Sequence, residues 1–464
     1  MEKVHFIGIG GTGLSAIARV LLERGYCVSG SDQNSAPILD ELKSLGAEIY
    51  LGHSADNLKN IDLVIRSSAI PAENPEVLAA LSANIPVLKR SEMLAWLLKD
   101  EKVIAIAGTH GKTTTTAMMA WTLNQLGCDP SFIIGSVSKD LQCNAHAGQG
   151  EYFVIEADEY DYMFHGIHAD YAVITSLEHD HPDCFPTFES YTSAFSKFAD
   201  QLKPGGKLVV STDNDGSLDF LNHHSYQALT YGINSPAEVT VIEKHLNDLG
   251  CYSYALAPLN TSQNDVEAIT VDLTVPGLHN LTNSLAVVAV IMDLDLPLKA
   301  AAQALSEFSG TGRRFDVLGE VNGIVLIDDY GHHPTEIKAT LEAAKQRYPN
   351  RHLWAVWQPH TYSRTITLID AFEKAFDTAD QVIITDIYAA RETNDSFSSS
   401  KLAEEMGQST IQHIGKLDDV TAYLLTHCQP GDVVIVLSAG DANQITASLF
   451  NIWQHKHPET ETII

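Results

Sequence analysis

The sequence predicts an α/β fold whose sheets are mostly parallel. Two observations lead to this class. Short apolar runs alternate with stretches of helical periodicity along the whole chain, and two of those runs pass directly into glycine-rich loops. A length of 464 residues suits about three domains. We expect the domains to span residues 1–99, 100–311 and 312–464.

The first unit begins with a predicted strand at residues 4–7. Gly25 ends the helix that follows, and apolar residues mark its buried face at Leu14, Ile17, Ala18, Leu21 and Leu22. Another strand is predicted at residues 63–65, before a stretch punctuated by prolines.

The second unit begins with a predicted strand at residues 103–107, and Gly127 and Pro130 end its first helix. Further strands are predicted at residues 152–155, 171–175 and 208–211. The polar, turn-rich residues 232–276 are expected to form strands and loops at the edge of this domain. A buried helix face follows at Leu281, Leu285, Val288 and Met292.

The third unit is expected to begin at a candidate hinge, Gly310-Thr311-Gly312. Helical patterns separate its predicted strands, which span residues 324–327, 353–357, 382–385 and 433–437.

Acidic residues dominate the charge of the chain. Lys and Arg total 29 against 59 Asp and Glu, which gives a formal net charge of −30. Nucleic acids and anionic membranes attract basic surfaces, so neither is an expected partner. The sequence has no signal-peptide core and no apolar stretch long enough for a membrane span, which predicts a cytoplasmic protein. The six cysteines lack C-x-x-C spacing, so we expect free, buried thiols.

The first motif with chemical meaning is Gly8-Ile9-Gly10-Gly11-Thr12-Gly13, between a strand and a helix. Glycines there let the backbone approach a pyrophosphate at the helix N-terminus, and an acid at the distance of Asp32 accepts from a ribose hydroxyl. A dinucleotide or nucleotide sugar is the predicted ligand. The alternative is a tight turn without a ligand.

The second motif is Gly108-Thr109-His110-Gly111-Lys112-Thr113, again between a strand and a helix. It is shorter than the usual P-loop, yet it supplies consecutive N–H donors, a lysine for the β- and γ-phosphates and a hydroxyl for Mg²⁺. The motif predicts a nucleoside triphosphate site. A glycine turn with a solvated lysine is the alternative.

Acids and histidines end the next two predicted strands, in Glu156-Ala157-Asp158-Glu159 and in Glu178-His179-Asp180-His181. One interpretation is a zinc site formed by His179 and His181 with Asp183 and Cys184. A Mg²⁺ site is favoured because a phosphate loop precedes these acids and Mg²⁺ prefers oxygen ligands.

Two later groups of polar residues complete the set of motifs. Asn280 and Asn283 lie three apart on one helix, where their amides match the edge of adenine; N-capping by Asn280 is the alternative. Arg313 and Arg314 follow the glycine hinge. In so acidic a chain, we expect this pair to hold phosphate or carboxylate.

These motifs, in this order, resemble those of the Mur ligases of peptidoglycan synthesis, and the resemblance covers nearly the whole chain. It rests on residues 8–13, GTHGKTTTT at 108–116, EADE at 156–159, EHDHPD at 178–183, HNxxN at 279–283, GTGRRF at 310–315 and DDYGHHPTEI at 328–337. The resemblance implies an N-terminal Rossmann-like domain, a central P-loop ATPase-type domain and a C-terminal Rossmann-like domain. It also implies a monomer or weak homodimer that uses ATP and Mg²⁺ to ligate L-alanine to the carboxylate of UDP-N-acetylmuramate through an acyl phosphate.

The resemblance also implies a role for each matching residue. The implied catalytic residues are Lys112, His181, His332, His333 and Arg364. The implied ATP-binding residues are Gly108, Thr109, His110, Gly111, Lys112, Thr113, Thr114, Asn280, Asn283, Arg313 and Arg314. The implied UDP-sugar-binding residues are Gly8, Gly10, Gly11, Gly13, Ser15, Asp32 and Ser67. The implied metal ligands are Thr113, Glu156 and His181. On the amino-acid side the resemblance implies Tyr330 and Arg364.

The chain departs from the family pattern at several positions. Thr361 stands where related sequences often have Arg, so Arg364 is expected to hold the alanine carboxylate with less help. Arg391 lies in a tract where the family commonly has Gly, and our hypothesis is that it replaces the missing cation. Sister ligases carbamylate a lysine; the register of Lys197 does not match, so we expect no modification there.

Three other functions stay open at this point. A recycling ligase adds a peptide to the same sugar, although its glycine motif usually departs from GIGGTG. A nicotinamide oxidoreductase fused to a P-loop kinase explains the first two motifs but requires none of the later ones. A nucleotide-binding regulator without catalytic activity does not need the full set of metal and phosphate residues.

Overall fold

The structure is a computed structural model that describes residues 2–224, 226–234, 236–256, 268–390, 392, 397–407 and 409–456. The chain divides into two compact units. The first contains Met1–Glu178, Glu189–Thr240 and Asn283–Ala304, and the second contains His179–Phe188, Val241–Thr282 and Leu305–Ile464. Within the described residues the fold is mixed α/β with mostly parallel sheets, which confirms the predicted class.

A five-stranded sheet forms the N-terminal part of the first unit. Its strands are β1 (Lys3–Ile7), β2 (Cys27–Asp32), β3 (Glu48–Leu51), β4 (Leu63–Arg66) and β5 (Val87–Lys89). All pairs are parallel, in the order β3-β2-β1-β4-β5. The helices between and after them are α1 (Thr12–Glu23), α2 (Pro37–Ser44), α3 (Pro75–Ser82) and α4 (Arg90–Leu97). The predicted strands are confirmed, and so is the buried face of the first helix, except that Leu22 is only partly buried.

A seven-stranded sheet forms the rest of the first unit. Its strands are β6 (Lys102–Ala107), β7 (Ser131–Ile133), β8 (Ala145–His146), β9 (Tyr152–Glu156), β10 (Tyr171–Ile174), β11 (Lys207–Ser211) and β12 (Ala228–Tyr231). The order is β12-β11-β10-β6-β9-β7-β8, and the pair β7–β8 is antiparallel. The accompanying helices are α5 (Lys112–Gln125), α6 (Phe188–Asp200) and α7 (Asp215–His223). The predicted strands form its buried centre because continuous apolar runs suit strands covered on both faces.

Polar contacts join the two sheets of the first unit. Oε2 of Glu23, the last residue of α1, accepts from the N–H of Ala147 at 2.7 Å and lies 2.9 Å from Nδ1 of His146. Arg24 pairs with Glu101 at 2.8 Å. These contacts attach the helix that follows the first glycine loop to the sheet that carries the second glycine loop.

The turn-rich stretch after β12 meets its expectation only in part: Val239 forms a parallel bridge with Tyr231 at the edge of the seven-stranded sheet, but the strands that follow belong to another sheet. Its strands β13 (Val241–Leu246), β14 (Tyr252–Leu256) and β15 (Thr270–Asp272) form a separate antiparallel sheet in the second unit. Strands close in sequence pair locally as hairpins, which alternating polar and apolar residues favour. Two helices follow, α8 (Leu278–Asp293) and α9 (Leu298–Glu307).

A six-stranded sheet forms the core of the second unit. Its strands are β16 (Asp316–Val321), β17 (Ile324–Asp329), β18 (Leu353–Trp357), β19 (Gln381–Ile384), β20 (Ile411–His413) and β21 (Val433–Leu437). The order is β16-β17-β21-β18-β19-β20, with β16 antiparallel to β17. Its helices are α10 (Pro334–Arg347), α11 (Tyr362–Thr367), α12 (Ile369–Ala375), α13 (Ser399–Met406), α14 (Leu417–His427) and α15 (Asn443–Lys456). Separate apolar clusters cover its two faces.

The cysteines and the helices test two further expectations. None of the six cysteines, all of which lie within the described residues, forms a disulfide, as predicted. Only Cys251 is buried, however; Cys27 is exposed and the other four are partly exposed, so the expectation of buried thiols is wrong for five of the six. None of the helices in the described part of the chain has both the length and the apolar run that crossing a bilayer requires.

Candidate active site

The first glycine motif forms a turn between β1 and α1 that closes on the acid at the end of β2. The N–H of Gly10 donates to Oδ2 of Asp32 at 2.9 Å, and Gly8 has a φ of +84°, a conformation that favours glycine. A Cβ on Gly10 would lie 2.9 Å from the same carboxylate oxygen. Asp32 therefore fixes the turn through one oxygen.

A cavity of about 890 Å³ opens beside this turn. It is lined by five of the residues implied to bind the UDP-sugar: Gly8, Gly10, Gly11, Asp32 and Ser67. The other two are not among its lining residues. Ser15 is buried in α1, where its hydroxyl donates to the carbonyl of Thr12 at 3.1 Å. Gly13 instead packs against Arg90.

Arg90, the first residue of α4, fills the space beside Gly13. A Cβ on Gly13 would lie 2.4 Å from Cζ of Arg90. Nη1 of Arg90 lies 4.0 Å from Oδ2 of Asp158 in the acidic tract after β9. The guanidinium therefore stands between the first glycine loop and the acids of the central sheet.

The second glycine motif forms the turn between β6 and α5. Gly108 has a φ of +130°, and a Cβ there would lie 2.1 Å from Oγ1 and 2.9 Å from the backbone N of Thr175. Gly111 has a φ of +80°, and a Cβ there would lie 2.4 Å from Oδ1 of Asn283. Only glycine fits both positions, and Asn283 packs against the loop.

The side chain of Lys112 is held inside this loop. Its Nζ donates to the carbonyl oxygens of Gly108 at 2.6 Å and Thr109 at 3.2 Å. Both oxygens of the fully buried Glu159 lie close to the same ammonium, at 3.1 and 3.0 Å. The lysine is therefore fixed at the N-terminus of α5, where anions bind.

Acids set the charge of Lys112. Burial would lower the pKa of this lysine, but the negative charges of Glu159, Asp158 and Glu156 outweigh burial and raise it. Lys112 is therefore positively charged at neutral pH, as a phosphate-binding lysine needs to be.

Thr113 and Glu156 meet beside the lysine. The Thr113 hydroxyl donates to Oε1 of Glu156 at 3.0 Å, and the N–H of Gly135 donates to Oε2 at 2.7 Å. The two residues are close because β6 and β9 are parallel neighbours that end at the same sheet edge. The structure thus brings together two of the three implied metal ligands, while His181 belongs to the second unit.

The other residues of the loop brace it. Oγ1 of Thr109 lies 2.9 Å from the Tyr191 hydroxyl, and Nε2 of His110 lies 3.3 Å from Oε2 of Glu178. The backbone N–H groups of Thr109 and His110 donate to Ser176. Thr114, in the first turn of α5, is 9% exposed. Thr109 and His110 thus shape the loop through contacts inside the first unit.

Asn280 lies in the first turn of α8, which begins at Leu278. Its Nδ2 donates to the carbonyl of Pro276 at 2.7 Å. An N-cap residue precedes the helix, so the interpretation of Asn280 as an N-cap is wrong.

Arg313 and Arg314 lie against Tyr330 in the second unit. The Cζ atom of each arginine is 5.0 Å from the centroid of the tyrosine ring. Arg313 donates to the carbonyl of Ser438 at 2.5 Å, and Arg314 lies 3.7 Å from Glu336. Three implied binding residues are therefore adjacent, and cation–π contacts hold them together.

His332 and His333 precede α10, and Glu336 accepts from the backbone N–H of each, at 3.1 and 3.3 Å. Nδ1 of His333 accepts from the N–H of Thr335 at 3.3 Å and so caps the helix. Burial, and then the charge of Arg364, lower the pKa of His332 to about 3. His332 is therefore neutral and weakly basic at neutral pH, which suits hydrogen bonding better than proton uptake.

Arg364 is buried and already has partners. Its Nε and Nη2 donate to Oδ1 of Asp180 at 2.9 and 2.8 Å, and its Nη1 lies 3.1 Å from Nδ1 of His360. Arginine only donates, so Nδ1 of His360 is an acceptor. A carboxylate ligand at Arg364 would compete with Asp180.

Asp180 also fixes the backbone of His181. The N–H of His181 donates to Oδ1 of Asp180 at 2.7 Å, and His181 has a φ of +52°. Burial would raise the pKa of Asp180, but His181 and Arg364 outweigh burial and hold it well below its usual range. The acid is therefore ionised and orients the implied metal ligand.

Three family models match the chain in sequence order. The one described as "Mur ligase family, catalytic domain" matches residues 3–102, "Mur ligase middle domain" matches 106–291, and "Mur ligase, glutamate ligase domain" matches 313–440. The chain belongs to the Mur ligase family. The resemblance found in its motifs is confirmed, and as a Mur ligase the chain is an ATP-dependent ligase.

Individual relatives match this Mur ligase over nearly its full length. A UDP-N-acetylmuramate–L-alanine ligase from Geobacter sp. (strain M21) is 41% identical over 449 residues, 96% of each chain. The crystal structure of a UDP-N-acetylmuramate-alanine ligase from Thermotoga maritima has a TM-score of 0.81 at 28% identity and covers 98% of this chain and 100% of that one. A murein peptide ligase from Psychrobacter arcticus has a TM-score of 0.71 at 25% identity, with 97% and 98% covered.

Sequence reasoning gave no role to four side chains that the structure places beside the predicted site residues of their own unit. They are Arg90, Glu159, Asp180 and His360. Glu159 and Asp180 lie inside quoted motifs, and their signal was an acid beside a cationic or metal-binding residue. His360 gave a weaker signal, a basic residue shortly after a predicted strand, and Arg90 gave none, because the strand before it was not predicted.

The positions that depart from the family pattern have different outcomes. Thr361 caps α11 with a φ of +64°, and its Oγ1 accepts from the N–H of Arg364 at 3.5 Å, so it supports the helix that carries the arginine. Arg391 lies outside the described residues, and its suggested role stays a hypothesis.

Proposed function

We propose that this Mur ligase joins L-alanine to the carboxylate of UDP-N-acetylmuramate while ATP is converted to ADP and phosphate. The observation that carries the proposal is the charged Lys112 at the N-terminus of α5, beside the Thr113–Glu156 pair. The 41% identity over 96% of the chain to a relative named for this substrate pair supports the choice of sugar and amino acid.

The proposal assigns each substrate to a described surface. The cavity beside Gly8 and Gly10 takes the UDP-sugar, and the loop around Lys112 takes the phosphates of ATP. We assign Arg313 and Arg314 to the phosphates of ATP, and Tyr330 and Arg364 to the amino-acid side, as the resemblance implies. The strand boundaries support domains at 1–99, 100–311 and 312–464, since β6 begins at Lys102 and β16 at Asp316.

The residues beside Lys112 fit a magnesium ion. A hydroxyl and a carboxylate, both oxygen donors that Mg²⁺ prefers, are 3.0 Å apart at Thr113 and Glu156. We propose that these two residues, with His181, hold the ion. When bound, Mg²⁺ supplies charge neutralisation for the phosphates.

The reaction requires two anions to meet, because a carboxylate oxygen of the sugar attacks the γ-phosphorus while the bond to ADP breaks. The amine of L-alanine then attacks the acyl phosphate, phosphate leaves, and the nitrogen loses a proton. Lys112 stays charged and reduces the repulsion between the anions. With pKa values of about 3 and 4, His332 and His360 are poor proton acceptors, so we assign them hydrogen bonding to substrate.

The cellular setting is also part of the proposal. We place the enzyme in the cytoplasm, which the lack of disulfides among its six described cysteines supports. We expect a monomer or weak homodimer, to be tested by light scattering of the purified protein over a range of concentrations.

The test is phosphate release with Mg-ATP and UDP-N-acetylmuramate, with each of the twenty amino acids offered in turn and products weighed by mass spectrometry. We expect release that needs both the sugar and L-alanine, with a product heavier by one alanyl residue. Release only with a tri- or tetrapeptide would indicate a murein peptide ligase instead, the class of the Psychrobacter arcticus neighbour. No release with any acceptor would contradict the proposal.

A further inference from the structure

His53 lies on the wall of the UDP-sugar cavity, between β3 and a short helical turn at Ala55–Leu58. Its ring faces Glu76, near the start of α3, whose side chain is fully buried. The proposed function gives a role to neither residue. A buried charge is costly unless hydrogen bonds stabilise it. The buried carboxylate of Glu76, next to a residue that lines the ligand cavity, is therefore a candidate for a functional role.

Glu76 receives hydrogen bonds on both oxygens. Oε1 accepts from Nδ2 of Asn57 at 2.7 Å, and Oε2 accepts from the Ser31 hydroxyl at 2.5 Å. Burial would raise the pKa of Glu76, but the nearby His5 ring and the hydrogen bonds from Ser31 and Asn57 outweigh burial and lower it to about 2. Glu76 is thus a carboxylate at neutral pH, and it can only accept.

These contacts fix the hydrogen on the His53 ring. Nδ1 of His53 lies 2.9 Å from Oγ of Ser31 and 3.2 Å from Oε2 of Glu76. The single hydroxyl hydrogen of Ser31 is donated to Glu76, so Oγ offers only a lone pair to the ring. Both neighbours of Nδ1 are therefore acceptors, and Nδ1 must carry the hydrogen.

In the neutral form of the ring, the other nitrogen is an acceptor. Nε2 of His53 has no hydrogen bond within the described part of the chain, and it is not among the buried polar atoms that lack a partner. It is accessible on a residue that lines the cavity, 7% of whose side chain is exposed. A neutral imidazole with hydrogen on Nδ1 presents a lone pair at Nε2.

We propose that Glu76 and Ser31 hold His53 in the Nδ1–H tautomer so that its Nε2 accepts a hydrogen bond from the uridine of the UDP-sugar. The inference rests on the proposed function for its ligand. Two uridine groups have the required donor chemistry: the N3–H of the uracil ring and the ribose hydroxyls. His53 binds substrate directly, whereas Glu76 is a positioning residue that acts through the His53 ring.

The first test reads the tautomer without any ligand. Two-bond ¹⁵N–¹H correlation spectra of the full chain, labelled at its 20 histidines, distinguish Nδ1–H from Nε2–H rings, and the His53→Gln spectrum identifies the His53 signals. We expect Nδ1–H in the wild type. In Glu76→Gln, whose amide can donate, we expect the Nε2–H form to gain population; Ser31→Ala is a milder second variant. An Nε2–H ring in the wild type would overturn the proposal.

The second test measures UDP binding by titration calorimetry in two matched variants. His53→Gln places an amide near Nε2 and can still accept there, whereas His53→Asn places one near Nδ1 and cannot. We expect His53→Asn and Glu76→Gln to weaken UDP binding about tenfold, the usual effect of one hydrogen bond, and His53→Gln to stay within about threefold of the wild type. Equal losses in both His53 variants would contradict an acceptor role.

Nucleotide analogues separate the two donors. If N3–H is the partner, CDP, whose N3 carries no hydrogen, should bind equally to the wild type and to His53→Asn. If a ribose hydroxyl is the partner, the UDP analogue that lacks that hydroxyl should bind equally to the wild type and to His53→Asn. A His53→Asn defect that persists with CDP and with every deoxy-UDP would overturn the proposal. A wild type that binds no UDP would refute the UDP-sugar assignment itself, while the spectra still decide the tautomer.

Discussion

Arg364 and Asp180 form a buried ion pair in which two guanidinium nitrogens donate to one carboxylate oxygen, at 2.9 and 2.8 Å. The two side chains are 4% and 6% exposed, and the pair joins the segment that carries His181 to α11. A buried pair is worth little compared with a well-packed apolar pair, but removing one partner leaves an uncompensated charge. Stability and the position of His181 therefore depend on the same contact.

Asp180→Asn should lower the free energy of unfolding by about 3–5 kcal/mol, because Arg364 would stay buried without a counter-charge. Urea unfolding at pH 7 measures the change. Glu320→Gln is the matched control: Arg351 pairs with both oxygens of Glu320 at 3.0 and 3.1 Å, but these side chains are 28% and 29% exposed. That control should lose about 1 kcal/mol or less. If both variants lost the same free energy of unfolding, burial of the Asp180–Arg364 pair would not explain the cost of removing one partner.

Acid should destabilise the protein through two buried histidines. Burial, and then the charge of Arg364, lower the pKa of His332 to about 3 and that of His360 to about 4. Below pH 6.5 the unfolded chain binds protons that the folded chain excludes, so their contribution is complete above pH 6.5 and falls as the pH drops toward 4. Each histidine adds a slope of up to about 1.4 kcal/mol per pH unit.

The measurement is the free energy of unfolding at pH 7, 6 and 5 for the wild type and His360→Gln. The variant should show a shallower decline, and the exposed His168→Gln should decline as the wild type does. Asp180 does not contribute to the decline between pH 7 and 5. Its pKa lies well below the usual range, so its contribution to stability is lost only below about pH 4. An unchanged slope in His360→Gln would contradict the prediction.

The elements that position the site could be predicted where the local pattern was strong. The apolar runs that became β6, β9 and β10 are buried on both faces, so each reads as a strand, and a glycine loop follows β6. The edge strands β16 and β20 escaped prediction because most of their residues are only partly buried and show no clear apolar run. Strands were expected in residues 232–276, but the alternating pattern there did not show that β13, β14 and β15 form a sheet of their own.

Contacts between distant residues could not be predicted from local pattern. Asp180 and Arg364 are 184 positions apart, and no spacing rule links them. Glu76 reads as an ordinary acid in the first turn of a helix, and only the fold shows that it lies beneath His53. Sequence can assign chemistry to a motif, but the partner that sets its charge or tautomer depends on tertiary packing.

Gly108→Ala should be far more harmful than alanine at another glycine with positive φ. A Cβ at Gly108 would lie 2.1 Å from Oγ1 and 2.9 Å from the backbone N of Thr175, so the loop would have to move. Gly205 has a φ of +83° and open space around it, so Gly205→Ala isolates the backbone strain, about 1–2 kcal/mol. Thermal unfolding and ATP binding should both show the difference. Similar losses in the two variants would mean that the contact with Thr175 does not limit the loop.

Lys112→Met should lower the rate of phosphate release at least a hundredfold, the usual effect of losing one group that stabilises developing charge. UDP binding should be unchanged, because the glycine turn at Asp32 belongs to a different sheet. Lys112→Arg tests whether charge alone suffices. Nζ fits between the carbonyls of Gly108 and Thr109 and the carboxylate of Glu159, at 2.6 to 3.2 Å, and a planar guanidinium is too large for that space. We therefore expect little rescue by arginine, whereas the half-exposed Lys43→Met should keep wild-type activity. A rate above one tenth of the wild type in Lys112→Arg would show that the position needs only a positive charge.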